Sequence, residues 1–283
     1  MSHHASLALL LAVAALTSAC KPSAAPQSAV EAAAVEAAAP QAVAIAASAP
    51  ESPSPAAGTP AAADAARIVT EVMRQQYPDG YDEKHDCWAF SRKSADGETA
   101  YCMRSHPAQW ADGENGNSFY FIASSASDIN DDLRYAYGSV DAGLMGAFQV
   151  SIGTDGGWTL TSASKAMDFG TAGACGCEDA RLVKLGRSYY GWMFTSGGMW
   201  QGILVSNHEI VAPHDGVFKN LSAIPEIREE AQDVRYAVTV VDGDPDLDVF
   251  PLKVEKLASG RKTGERIVGF DRGKWAYQTI GDF

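Results

Sequence analysis

At 283 residues, with 46% hydrophobic and 9% aromatic content, the chain is long enough and apolar enough to bury a substantial core. Its 35 acidic against 22 basic residues leave a net charge of −13 at pH 7, which argues against nucleic acid and anionic lipid as partners and favours a basic one. Beyond an apolar stretch at the start, no run approaches the roughly 20 residues needed to span a bilayer.

The first predicted element is the apolar run over 7–16, which leads into Thr17-Ser18-Ala19-Cys20. This has the shape of a bacterial signal peptide with small residues before a cysteine. It resembles the lipobox of bacterial lipoproteins. The resemblance implies removal of residues 1–19, acylation of Cys20 and attachment to a membrane through lipid. The stretch departs from that family in carrying His3 and His4 but no Lys or Arg ahead of the run, and Thr17 where Leu is usual. The alternative is an ordinary secretory signal cut near Ala19. Lys21 after the cysteine, where enteric lipoproteins retained at the inner membrane carry Asp, makes the periplasmic face of the outer membrane the expected address.

Residues 20–64 are mostly Ala, Pro, Ser and Val, too poor in large apolar side chains to repay the cost of ordering, so they read as a disordered tether. Pro22, Pro26, Pro40, Pro53, Pro55 and Pro60 bias it toward extended conformations. After Asp64 the count is 21 basic against 31 acidic residues, and residues 65–283 read as a β-rich periplasmic domain.

That domain opens with a predicted helix over 64–76, capped by Asp64, in which Ile68, Val69, Val72 and Met73 recur at helical spacing before Tyr77-Pro78-Asp79-Gly80 stops it. The period then changes to two. Strands are predicted at 87–92, 99–104, 118–124, 144–152, 158–164, 181–185, 189–194, 199–205, 210–212, 234–241, 249–256, 266–270 and 275–279. Turn signals stand at Asp96-Gly97, Asp155-Gly156-Gly157, Ser196-Gly197-Gly198, Asp215-Gly216 and Arg272-Gly273. A short helix over 224–232 is expected to interrupt them, with Pro225 near its start. The fold class is therefore all-β, antiparallel sheets with one N-terminal helix, arranged as a sandwich, a barrel or a small propeller.

Four cysteines remain beside Cys20. Cys87 and Cys102 lie in neighbouring predicted strands, so a cross-strand disulfide is the natural pairing. Cys175 and Cys177 either bridge each other across one glycine, as a structural or a reducible pair, or form halves of bridges to elsewhere.

Signs of catalysis are few. No G-x-S-x-G string occurs, and Asn207-His208-Glu209 with Pro213-His214-Asp215 fits no usual zinc spacing. The best metal candidate is the set Asp242, Asp244, Asp246 and Asp248, whose alternating carboxylates are suited to a hard cation such as Ca²⁺. The loop lacks the EF-hand glycine, having Leu247 there, and has Lys253 where a bidentate Glu belongs; the competing reading is a solvated acidic turn. No other cofactor is implied. The strongest surface clue is aromatic. In a hairpin over 189–202, Tyr190, Trp192 and Phe194 share one face and Trp200 follows, a row suited to anchoring a protein or a glycan if exposed, and to a core if not.

The run over 143–150 (G-L-M-G-A-F-Q-V), the pair around Cys87 and Cys102, the Y-Y-G-W segment at 189–192 and the V-F-P-L strand near Phe250 resemble a group of uncharacterised Gram-negative envelope proteins. The lipobox, tether and acidic disulfide-bearing β-domain together resemble lipoprotein immunity proteins of bacterial killing systems. That resemblance implies a non-enzymatic inhibitor, held to the membrane by lipid, whose partner is a basic envelope-attacking effector or hydrolase. The competing classes are an envelope hydrolase and a glycan-binding or assembly module.

Overall fold

The computed structural model describes residues 62–94, 97–113, 116–281 and 283; residues 1–61, which include Cys20 and all but the last three residues of the expected tether, lie outside them. The spacing of Ile68, Val69, Val72 and Met73 does form a helix, α1 (Ala62–Gln76), and Asp64 sits in its first turn rather than ahead of it as a cap. An acidic group there still faces the positive end of the helix dipole. Ala65, Ile68, Val69, Val72, Met73 and the following Tyr77 are buried; at about 1.5–3 kcal/mol for each of the larger side chains, this is enough to fix the helix on whatever covers it.

Sixteen strands follow among the described residues: β1 (Tyr81–Asp82), β2 (Cys87–Ser94), β3 (Gly97–Ser105), β4 (Gln109–Gly113), β5 (Gly116–Ser125), β6 (Gly143–Ile152), β7 (Trp158–Phe169), β8 (Arg181–Lys184), β9 (Tyr190–Trp200), β10 (Ile203–His214), β11 (Val217–Ile227), β12 (Val234–Val240), β13 (Leu252–Ala258), β14 (Arg261–Val268), β15 (Phe270–Asp271) and β16 (Ala276–Tyr277). All strand pairing is antiparallel. A first sheet runs β1-β2-β3-β5-β6-β7 with β4 added against β5, a second β11-β10-β9-β8, a third β12-β13-β14, and β15 pairs with β16. These are stacked open sheets, so the sandwich is the member of the three expected architectures that the chain adopts.

Alternation decides the stacking. On the first sheet Tyr101, Met103, Phe119, Phe121, Phe148 and Val150 meet Ile68, Val72 and Met73 of α1, while Tyr120, Ile122, Met145 and Ala147 point the other way. That second face meets Trp192, Phe194, Val211 and Phe218 of the second sheet. The reverse side of the second sheet, with Ile210, Ala212, Leu221 and Ile224, meets Tyr236, Leu252 and Val254 of the third. Helix and sheets thus form successive layers, and the second sheet is covered on both faces over much of its length.

Two expectations change. The helix over 224–232 is absent: residues up to Ile227 continue β11. Leu221, Ile224 and Ile227 are buried at three-residue spacing because the β10–β11 pairing shifts register twice, between Glu209 and Val211 and between Ser206 and Asn207, and each bulge turns a period of two into three. The hairpin turn is not at Ser196-Gly197-Gly198, which lie inside β9, but at Gln201-Gly202, both with positive φ of 49° and 84° as a type I′ turn requires. Asp215-Gly216 makes the same turn between β10 and β11.

Candidate functional site

β9 and β10 are long, and their outer halves pass beyond the cover of the first sheet. Their register sets Phe194 opposite Glu209, Ser196 opposite Asn207, Gly198 opposite Val205, and Trp200 opposite Ile203. Glu209 lies between Asn207 and Val211 on one face, the face that meets the first sheet at its inner end. Beyond Phe169 and Phe194, whose rings touch edge to face at 5.1 Å, the first sheet no longer covers that face; Ser196 is covered instead by the 171–177 segment, and the face opens past it. What remains is a groove of about 440 Å³ walled by Asp168, Phe169 and Thr171 at the end of β7. From Glu209 to Trp200 it follows six residues of strand, about 20 Å at 3.4 Å per residue. Gly198 permits the close wall: a Cβ there would meet the Thr171 side chain at 2.7 Å.

The two ends of the groove differ in chemistry. At the outer rim Met199, Trp200 and Val205 are exposed, by 69%, 58% and 36%. At the inner end Glu209 is only 6% exposed. Asn220 donates from Nδ2 to its Oε2 at 2.5 Å, and Oε1 takes no hydrogen bond from any described residue. Burial pushes the Glu209 carboxyl above the usual range, and the Asn220 bond offsets only part of that. Asp168 is held by Arg92 in a two-pronged ion pair, one prong at 2.8 Å. No Lys, Arg or His is among the residues that line the groove.

Of the aromatic row read as an anchor, only Trp200 faces solvent. Trp192 (1% exposed) and Phe194 are core, and Tyr190 is half-buried with its ring 6.2 Å from Tyr120. The alternation is as expected. The correction is in coverage: the first sheet lies over one face and the third over the other, so neither row is free at that end. Glu209, Asn207 and Asn220 were missed, although two polar residues at alternate positions between Val205 and Val211 mark a strand face that is not wholly buried.

The disulfides pair Cys87 with Cys102, closing 15 residues, and Cys175 with Cys177. All four are buried. Ser196 donates to the Cys175 carbonyl at 2.9 Å, so the second bridge steadies the strand beside the groove.

The carboxylates Asp242, Asp244, Asp246 and Asp248 do not converge as the calcium reading required. Asp248 is drawn aside by Arg272 at 2.7 Å and Arg187 at 3.4 Å, and Asp244 accepts the Asp246 backbone N–H at 3.1 Å. Nor do the histidines meet: His208 Nε2 lies 2.6 Å from the Tyr236 carbonyl, and the His214 ring stacks on Trp275 at 4.1 Å. Among the described residues the one group with ligating atoms within 4.8 Å of one another is Asp82, His85 and Asp132. Its oxygens are already engaged. Buried His85 lies 3.2 Å from both Asp82 and Asp131, and Asp82 also accepts from Tyr135 at 3.1 Å and from Arg134. Burial raises the Asp82 pKa, but bonds from the His85 ring and backbone and the Tyr135 hydroxyl outweigh it and hold the carboxyl at about 2. The network pins the 126–142 segment over the Cys87–Cys102 bridge. It is a clamp.

Comparison with family models, with curated proteins and with solved structures finds no match for the chain. Among the described residues, no helix is long and apolar enough to cross a membrane.

Proposed function

We propose that this is a non-enzymatic, lipid-anchored binding protein of the bacterial envelope, an inhibitor or immunity protein that captures a basic envelope-attacking enzyme. The observation that carries this reading is the groove along β9 and β10, with exposed Met199 and Trp200 at its rim and, inside it, the Glu209 carboxyl, which no cation lining the groove meets. Interfaces of this kind take their on-rate from charge and their lifetime from a desolvated aromatic anchor. A net charge of −13 supplies the steering, and Trp200 supplies the anchor. The resemblance of Thr17-Ser18-Ala19-Cys20 to a lipobox supports the address, and the order of leader, tether and acidic domain supports the class.

Two measurements test it. Cys20→Ala is expected to leave the membrane fraction without loss of the folded domain; a variant that stays membrane-bound after a salt wash contradicts the anchor. The released protein is then expected to capture a basic envelope enzyme and to lower its activity, with an on-rate that falls as salt rises. Turnover of peptidoglycan by the protein itself contradicts the inhibitor reading.

A further inference from the structure

We propose that the inner end of the groove is a receptor for one arginine side chain of the captured partner, with Glu209 as its counter-charge. The proposal rests on the capture reading for its biological source and on the groove alone for its chemistry. Glu209 is almost wholly withdrawn from water, yet only one of its oxygens has a partner, the Asn220 amide. A carboxyl group so placed gains more from an incoming cation than an exposed one does, because the surrounding dielectric is low. No basic side chain lines the groove, and the other carboxylate, Asp168, already has Arg92. The chain therefore leaves this charge to be met from outside.

The surroundings favour a guanidinium over an ammonium. Asn207 lies two residues before Glu209 on the same strand face, about 7 Å along it, and its side chain has no hydrogen-bond partner among the described residues. A planar fork with five donors reaches a carboxylate oxygen and a neighbouring amide oxygen together, which a compact ammonium does less well. The Phe169 ring forms the apolar wall along which the aliphatic stem would lie. Trp200, about 20 Å along the strands, is too far to touch the same side chain and holds the partner at the outer rim.

The test uses N-acetylarginine amide and its neutral isostere N-acetylcitrulline amide, titrated at millimolar concentration into the Cys20→Ala chain and followed by NMR of the Asn207 and Asn220 side-chain amides. Arginine is expected to shift both saturably, with citrulline at least tenfold weaker, and Glu209→Gln is expected to bring arginine down to the citrulline level while the melting temperature holds. Equal shifts from citrulline or from N-acetylglucosamine would assign the groove to neutral hydrogen-bonding ligands and overturn the proposal, as would arginine binding that is indifferent to Glu209→Gln or shifts that map elsewhere. The citrulline comparison needs no variant, so it decides even if Glu209→Gln fails to fold. Arginine binding without capture of any basic enzyme would sink the capture reading alone, and capture unaffected by Glu209→Gln would sink the arginine site alone.

Discussion

The inner and outer ends of the β9–β10 ribbon share one backbone pairing and one alternation, yet one is core and the other is open. At the inner end Trp192, Phe194 and Val211 lie under the first sheet, with Glu209 paired to Phe194 and Ser196 still buried beside them; on the same face farther out stand half-buried Asn207 and Gly198, and then exposed Trp200. What separates them is where the covering sheet stops. A strand's period assigns a residue to a face, and only the neighbouring layer decides whether that face becomes core or site.

The sharpest way to break this comparison is to truncate one tryptophan from each end. Trp192 is the largest fully buried side chain among the described residues, and Trp192→Ala is expected to cost about 3–5 kcal/mol of stability in denaturant unfolding. A loss below about 1 kcal/mol would mean that the inner end is not packed as described. Its indole N–H has no hydrogen-bond partner, so the loss is one of packing rather than of a polar contact.

Next in size is the Cys87–Cys102 bridge. Replacing both cysteines by serine is expected to cost about 3 kcal/mol, the chain-entropy value for a 15-residue loop. Peptide mapping that joined Cys87 to Cys175 or Cys177 would contradict the fold of the first sheet.

Acid stability tests the clamp beside that bridge. The folded-state pKa of Asp82, about 2, lies below its unfolded value of about 3.9, so its contribution is full above the unfolded value and fades as pH falls toward 2. Asp82→Asn is expected to flatten the fall in stability between about pH 4 and pH 2 while lowering stability at neutral pH. An unchanged acid limb would remove Asp82 from the account.

The smallest effect on stability belongs to the outer tryptophan. Trp200→Ala is expected to change unfolding free energy by no more than about 0.5 kcal/mol, as a surface substitution does. A large loss would make Trp200 part of the core and erase the difference between the two ends.

The sequence pattern carried the class and much of the strand order, because alternation and Asp-Gly turns are local properties. Asp215-Gly216 is a turn as read, since both residues take the positive φ that a type I′ turn demands. Gly197 and Gly198 misled for a physical reason: they are extended, and the missing side chain at Gly198 admits Thr171 rather than a turn. Pro225 misled as a helix start because it lies in a strand whose pairing shifts register twice, between Ser206 and Asn207 and between Glu209 and Val211. β4 and β11 passed unseen: Gln109 to Gly113 offers no clear alternation, and in Val217–Ile227 two register shifts break it. The site was less legible than the fold. Trp200 was marked as one aromatic of the predicted hairpin over 189–202, but Glu209 becomes a candidate only once the end of the first sheet is known, and that is a tertiary fact. Asp242, Asp244, Asp246 and Asp248 looked convergent because spacing along the chain does not reveal that Arg187 and Arg272 compete for Asp248.

On the proposed function, the outer end of β9 and β10 is the surface that meets the partner. The most direct test is hydroxyl-radical footprinting of the released protein, alone and bound to a basic enzyme of the proposed class. Met199 and Trp200 are expected to oxidise readily in the free protein and to be protected in the complex, with Trp192 unreactive in both. Oxidation of Met199 and Trp200 at the same rate in the complex, with protection at another surface such as Tyr81, would contradict the account.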